Sequence, residues 1–238
     1  MWNAVWKQWK VARKDWVWMY LLVLGVWMVG VILMNVISLD AGAGTYACTG
    51  AVIGGITAIF YGLFKSGMGF PSCFSVEVGF GCTRKQFFFS YYLVSVILSF
   101  LAVPLVAGLY LAELAVYGWR FPDLVNERDL LPLILGGGTL LALVIPLLAM
   151  LAALLVMRFG KPALWVMWGL WMFGFVAVPN MLEAAEAGSD SAYGWAGRRI
   201  LWVAGLLPTP GWICAGIAAV ALCFGIAWRM AMRQQVNH

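Results

Sequence analysis

The sequence predicts an all-α polytopic membrane protein with six transmembrane helices. An N-terminal amphipathic elbow helix precedes the first span, a short cytoplasmic helix lies between the second and third, and a re-entrant or interfacial segment lies on the outer side before the last. Three observations carry this reading. Mean hydropathy is +0.92; 64% of residues are hydrophobic against 11% charged; and the charges gather in short clusters between apolar runs. Soluble domains lie far from such a composition. The 238 residues form a single transmembrane domain, 1–238, with little chain left for a soluble one.

The elements follow in chain order. In residues 1–14, Trp2, Val5, Trp6, Trp9 and Ala12 recur at helical spacing, while Lys7, Lys10, Arg13 and Lys14 supply a basic side. This pattern suits a helix lying in the membrane interface, its tryptophans at headgroup depth and its cations toward anionic lipid. No small-residue cleavage site follows a short apolar core, so this start is not a cleavable signal. A spanning helix needs about 20 apolar residues. Six stretches qualify, at 16–38, 45–64, 86–113, 130–157, 162–182 and 211–228. Pro104, Pro132 and Pro146 predict kinks, because proline removes a donor and clashes with the preceding turn. Within the outer segment 183–210, the apolar run 200–207 is too short to cross and ends at Pro208 and Pro210.

Charge orients these spans. With both termini inside, eleven of the fifteen basic residues face the cytoplasm with Asp15 and Glu77. Arg120, Arg128, Arg198 and Arg199 lie outside with Asp40, Glu113, Asp123, Glu127, Asp129, Glu183, Glu186 and Asp190. The sides carry +9 and −4, consistent with the net +5 of the chain. The basic excess places both termini in the cytoplasm of a multi-pass cell-membrane protein. The basic pI therefore reflects topology and calls for no nucleic-acid partner.

The stretch GFGCTRKQFFFSYY, residues 79–92, is the most pointed local signal. Thr83 with Gln86 has the form of a capping box, so the third span starts here with Arg84 and Lys85 in its first turn. Cations at a helix N-terminus oppose the dipole by about 0.3–1 kcal/mol each. Lipid phosphate offers one reason for them and a docking element another. The preceding PSCFSVEVGFGC, 71–82, is too short to span and too apolar for an ordinary loop. It reads as a short helix parallel to the membrane, presenting Phe74, Glu77, Val78 and Phe80 to a cytoplasmic partner.

Small residues mark packing faces. Gly50, Gly54, Ala58 and Gly62 recur every four residues in the second span, and Gly211, Ala215, Ala219, Cys223 and Ala227 in the sixth. The first stripe is read either as intramolecular packing or as a dimer interface or conduit wall. Gly136, Gly137 and Gly138 suit a hinge or a close-packing site equally. Asn180, Glu183 and Glu186 end the fifth span as an outer polar cluster, with Arg198 and Arg199 as counter-charges. Glu113 lies about 40 Å along the third helix from Gln86 and should reach the outer surface.

Absences bear on chemistry. No G-x-x-x-x-G-K-[ST] phosphate loop occurs. The one histidine is His238, which disfavours membrane enzymes that need a His base or His ligands. Cys48, Cys73, Cys82, Cys214 and Cys223 contain no C-x-x-C pair and read as packing residues.

A short segment after the second span that ends in GFGCTRKQFF and runs into the third resembles the permease subunits of type-2 ABC exporters, particularly the compact six-span permeases of Gram-positive bacteria. The resemblance covers nearly the whole chain as architecture. It implies that 71–82 is the coupling helix seated in an ABC ATPase subunit, with Arg84 and Lys85 at the adjoining membrane surface. It further implies pairing with a second permease copy or paralogue, and that 198–210 matches the family's short extracellular or re-entrant helices. This chain would bind no cofactor; ATP and Mg would be bound by the ATPase partner. The expected cargo is an amphipathic compound such as an antimicrobial peptide, a drug or a lipid. The alternatives are a six-span capture subunit of an energy-coupling vitamin uptake system, which needs convergent polar side chains, and an intramembrane enzyme.

Overall fold

A computed structural model describes residues 2–41, 45–46, 48–120, 125–126, 129–206 and 208–234. Asp123, Glu127, Arg128, Leu207 and His238, which enter the sequence reading, lie outside the described residues, as does the side chain of Asp40. The described chain is helical almost throughout: α1 (Trp2–Ala41), α2 (Thr49–Gly79), α3 (Arg84–Arg120), α4 (Gly138–Phe159), α5 (Lys161–Met172), α6 (Val178–Glu186), α7 (Ala192–Gly205) and α8 (Thr209–Arg233). Two-residue strands β1 (Thr45–Tyr46) and β2 (Val125–Asn126) pair in parallel.

Among the described residues, five helical runs are long and apolar enough to cross a membrane: Trp2–Val36, Thr49–Gly79, Arg84–Arg120, Leu133–Phe159 and Pro210–Arg233. The remaining predicted span, 162–182, falls on α5 and α6, joined by a π-helical turn at Phe173–Ala177. Proline explains that turn. Pro179 sits in the first turn of α6, has no N–H to donate, and its ring crowds the carbonyl four residues back. A second π turn, Leu133–Gly137, follows Pro132 and leads into α4. Pro104 and Pro146 lie inside α3 and α4, which continue through them.

The chain divides into two compact units, Met1–Met150 with Ala231–His238, and Leu151–Met230, where the sequence suggests one domain. In the first unit, α1 and α3 pack through Val5, Trp16, Met19, Val23, Val94, Leu98 and Val106, with Ala58 and Tyr61 of α2 against them. α1 and α2 meet at a pair of glycines: a Cβ on Gly30 would lie 2.5 Å from the Cα of Gly50. Without a hydrophobic drive in lipid, such backbone proximity is what brings membrane helices together.

Two expectations are corrected here. No break separates an elbow helix at 1–14, because α1 runs unbroken from Trp2 to Ala41. Val5, Gln8, Trp16, Met19 and Val23 form one buried seam whose helical phase never shifts, so the first turns pack with the rest while Trp2 and Trp6 stay exposed. Likewise 71–82 is no separate helix. α2 continues through Pro71 to Gly79, and the connection to α3 is the tight turn 80–83, with Gly81 at φ +88°. Tyr91 supports the chain beside Pro71 by donating its hydroxyl to the Ser66 carbonyl at 2.9 Å.

In the second unit, α6 and α7 form a helical hairpin, with the end of α6 and all of α7 in the predicted outer segment 183–210. Ser191 caps α7 by accepting from the Gly194 N–H at 3.2 Å. A Cβ on Gly197 would lie 1.9 Å from the Met181 carbonyl oxygen, so the two helices meet backbone to backbone there. At 14 residues, or about 21 Å, α7 is too short to cross a bilayer.

Candidate functional site

At the basic end of the first unit, the start of α1, the end of α2 and the start of α3 pack together as a stalk. α2 has 31 residues and α3 has 37, about 46 and 55 Å, against a hydrocarbon core of about 30 Å. Lys65 pairs with Asp15 across α2 and α1, and the helices continue past that pair. Beyond it, Phe70, Phe74, Phe87 and Tyr91 interlock with ring centroids 5.3 to 5.7 Å apart. A Cβ on Gly69 would lie 2.8 Å from the Tyr91 hydroxyl, so a glycine there lets the ring approach.

The predicted partner-facing residues therefore divide. Phe74 is 0% exposed inside this cluster, so it is not presented outward: the α2 helix carried through Pro71 turns it toward α3. The Glu77 carboxylate accepts from Gln8 Nε2, tying the end of α2 to α1. Val78 is half-buried, whereas Phe80 is 89% exposed at the tip, with Val76 and Lys85 exposed nearby. Arg84 has a partner far away in the chain. Its Nη1 donates to the Met232 carbonyl at 2.8 Å, in the last turn of α8. A cation unfavourable at its own helix start thus serves a helix C-terminus, where cations are stabilising. Thr83 and Gln86 form half of the expected capping box, Gln86 N–H donating to Thr83 Oγ1 at 3.3 Å.

Toward the acidic end, α2, α3 and the start of α4 surround a cavity of about 320 Å³, with Trp16 of α1 at its basic-end limit. Its lining is aliphatic apart from the rim of Trp16 and the hydroxyl of Ser99, which is buried with no hydrogen-bond partner among the described residues. The small-residue stripe of α2 splits between two tasks. A Cβ on Gly50 would meet the Trp27 carbonyl at 2.8 Å, and one on Gly54 would meet Val23, so both pack intramolecularly on α1. Ala58 and Gly62 line the cavity. Of the 136–138 run, Gly137 and Gly138 line the cavity, and a Cβ on Gly138 would touch Val103 at 3.4 Å.

Above the cavity lies Glu113, which the sequence reading put at the outer surface. It is 0% exposed. Its carboxylate accepts from the N–H groups of Gly50 at 3.0 Å and Ala51 at 2.7 Å, capping the start of α2. Tyr110, one turn away, is buried too; it accepts from the Leu130 N–H at 3.1 Å and its hydroxyl reaches Asp129 at 3.3 Å, fixing the chain that enters α4. A lone acid among apolar residues with tyrosines three before and four after was the available signal.

The outer polar cluster of the second unit is assembled differently from expectation. Asn180 donates to the Val176 carbonyl of its own helix at 2.6 Å, and Glu183 and Glu186 are exposed. Arg198 donates to the Ser189 carbonyl at 2.8 Å, and Arg199 lies over the Trp195 ring at 5.5 Å. Among the described residues neither arginine pairs with the two acids, because each is held on its own side of the α6–α7 turn. Comparison with protein-family models, curated proteins and solved structures finds no match to this chain.

Proposed function

We propose that this chain is the membrane-spanning permease subunit of an ATP-driven exporter of the type-2 ABC class, with six spans and both termini cytoplasmic in the cell membrane. ABC ATPase chains dock on the basic-end stalk and bind the ATP and Mg. A second permease copy or paralogue completes the substrate path. The observation that carries this reading is the stalk itself: α2 continues about 20 Å past Lys65 and ends at a turn whose Phe80 is 89% exposed. An exposed aromatic at the tip of a rigid, basic projection suits a pocket on a soluble partner. The contact moves from Phe74 to Phe80 and Val76, while Glu77 and Arg84 hold the tip in place. A cavity with one hydroxyl among aliphatic groups favours amphipathic or lipophilic cargo over the vitamin-capture alternative, which needs convergent polar side chains.

Copurification of an ABC ATPase from cells that express the protein tests the reading. Phe80→Glu should insert and fold as the parent does, since the side chain touches solvent, and should lose ATPase on copurification. Removing an aromatic anchor from a buried contact costs about 2 kcal/mol or more, roughly a thirtyfold loss of affinity. Undiminished copurification and transport would reject the tip as the docking point.

A further inference from the structure

We propose that the cavity of the first unit is a binding site for an alkyl chain, entered sideways from the bilayer. The lining residues of α2 run from Ala51 to Gly62, about 16 Å along the helix. A volume of about 320 Å³ spread over that length makes an elongated apolar space, the shape of an extended methylene chain. Water is a poor occupant, because a buried water needs two to four polar partners and the lining offers little beyond Ser99 Oγ. The interior is formed by buried Ala102, Val103, Val106, Ala142 and Ile145. Val52, Ile56, Leu133 and Leu141 border it and are exposed, giving a mouth on an apolar surface of the first unit.

Glycine keeps the space open. A Cβ on Gly62 would sit 3.8 Å from Ile145, 3.9 Å from the Ser99 hydroxyl and 3.9 Å from Trp16, so that position faces the void and accepts a larger side chain without a clash at its first atom. Gly62→Leu should therefore fill the basic-end half of the site. The ligand chemistry is the chain alone, since the lining has no charged group to select a headgroup.

The test uses the full-length protein in nanodiscs containing either a phosphatidylcholine with a diazirine on one acyl chain or the corresponding free diazirine fatty acid, with labelled peptides mapped by mass spectrometry. Labelling of the buried Ala102, Val106 or Ile145 is expected in at least one arm, and the arm that labels tells a bilayer lipid from a free acid. Gly62→Leu should lower that labelling at least tenfold, while labelling of the exposed Leu164 and Trp168 stays constant as an internal control for folding. If Gly62→Leu does not assemble, Ala142→Leu fills the same space from α4. Absence of label at all three buried positions in both arms of the wild type, or label that persists in a folded filled variant, would overturn the proposal. The outcome is independent of the ATPase reading, since no partner chain is present.

Discussion

Replacing Glu113 by alanine is expected to destabilise the protein by about 3 kcal/mol or more. The substitution leaves two buried donors, the N–H groups of Gly50 and Ala51, without their acceptor, and each orphaned donor costs about 1–3 kcal/mol. The cost is not relieved by water, because the carboxylate is 0% exposed and its neighbours Trp27 and Tyr117 close the site. Glu113→Gln keeps one carbonyl oxygen and should lose about half as much. Equilibrium unfolding by SDS in mixed micelles, followed by circular dichroism, gives the comparison. An alanine variant within about 0.5 kcal/mol of the parent, the spread of neutral surface changes, would mean that the carboxylate does not hold the start of α2.

Phe74→Ala carries the second large effect. The ring is fully buried against Phe70 and Phe87, at 5.7 and 5.4 Å between centroids. Deleting such a ring from a packed core costs about 3–5 kcal/mol. Phe80→Ala, six residues on at the exposed tip, should stay within about 0.5 kcal/mol of the parent. The same unfolding titration separates the two. Equal, small losses would place Phe74 at a surface and restore it as a partner contact.

The contrast between these two phenylalanines shows what the sequence could disclose. Apolar runs long enough to span are a property of local composition, so five of the six expected spans fall on helical runs long and apolar enough to cross a membrane. The partner of an apolar face is not local. Val5 and Trp9 have the same spacing whether they meet lipid or α2 and α3, and so residues 1–14 resembled an elbow. Pro71 resembled a boundary because proline removes one donor, yet buried Phe70 and Phe74 on either side and the Tyr91 hydroxyl on Ser66 carry the helix through it. Glu113 was placed by counting turns from Gln86, which measures distance along one helix; its burial depends on the start of α2, 63 residues away. Arg84 and Lys85 stand at the start of α3, where cations oppose the helix dipole. What resolves Arg84 is a carbonyl 148 residues further on.

Photocrosslinking from the stalk tip bears most directly on the proposed docking of an ATPase. With p-benzoylphenylalanine at position 80 in cells that express the protein, irradiation should yield one adduct whose peptides contain the G-x-x-x-x-G-K-[ST] phosphate loop of an ABC ATPase, and the same probe at the buried position 87 should yield none. Adducts at position 80 confined to lipid, or to proteins without that motif, would contradict the account.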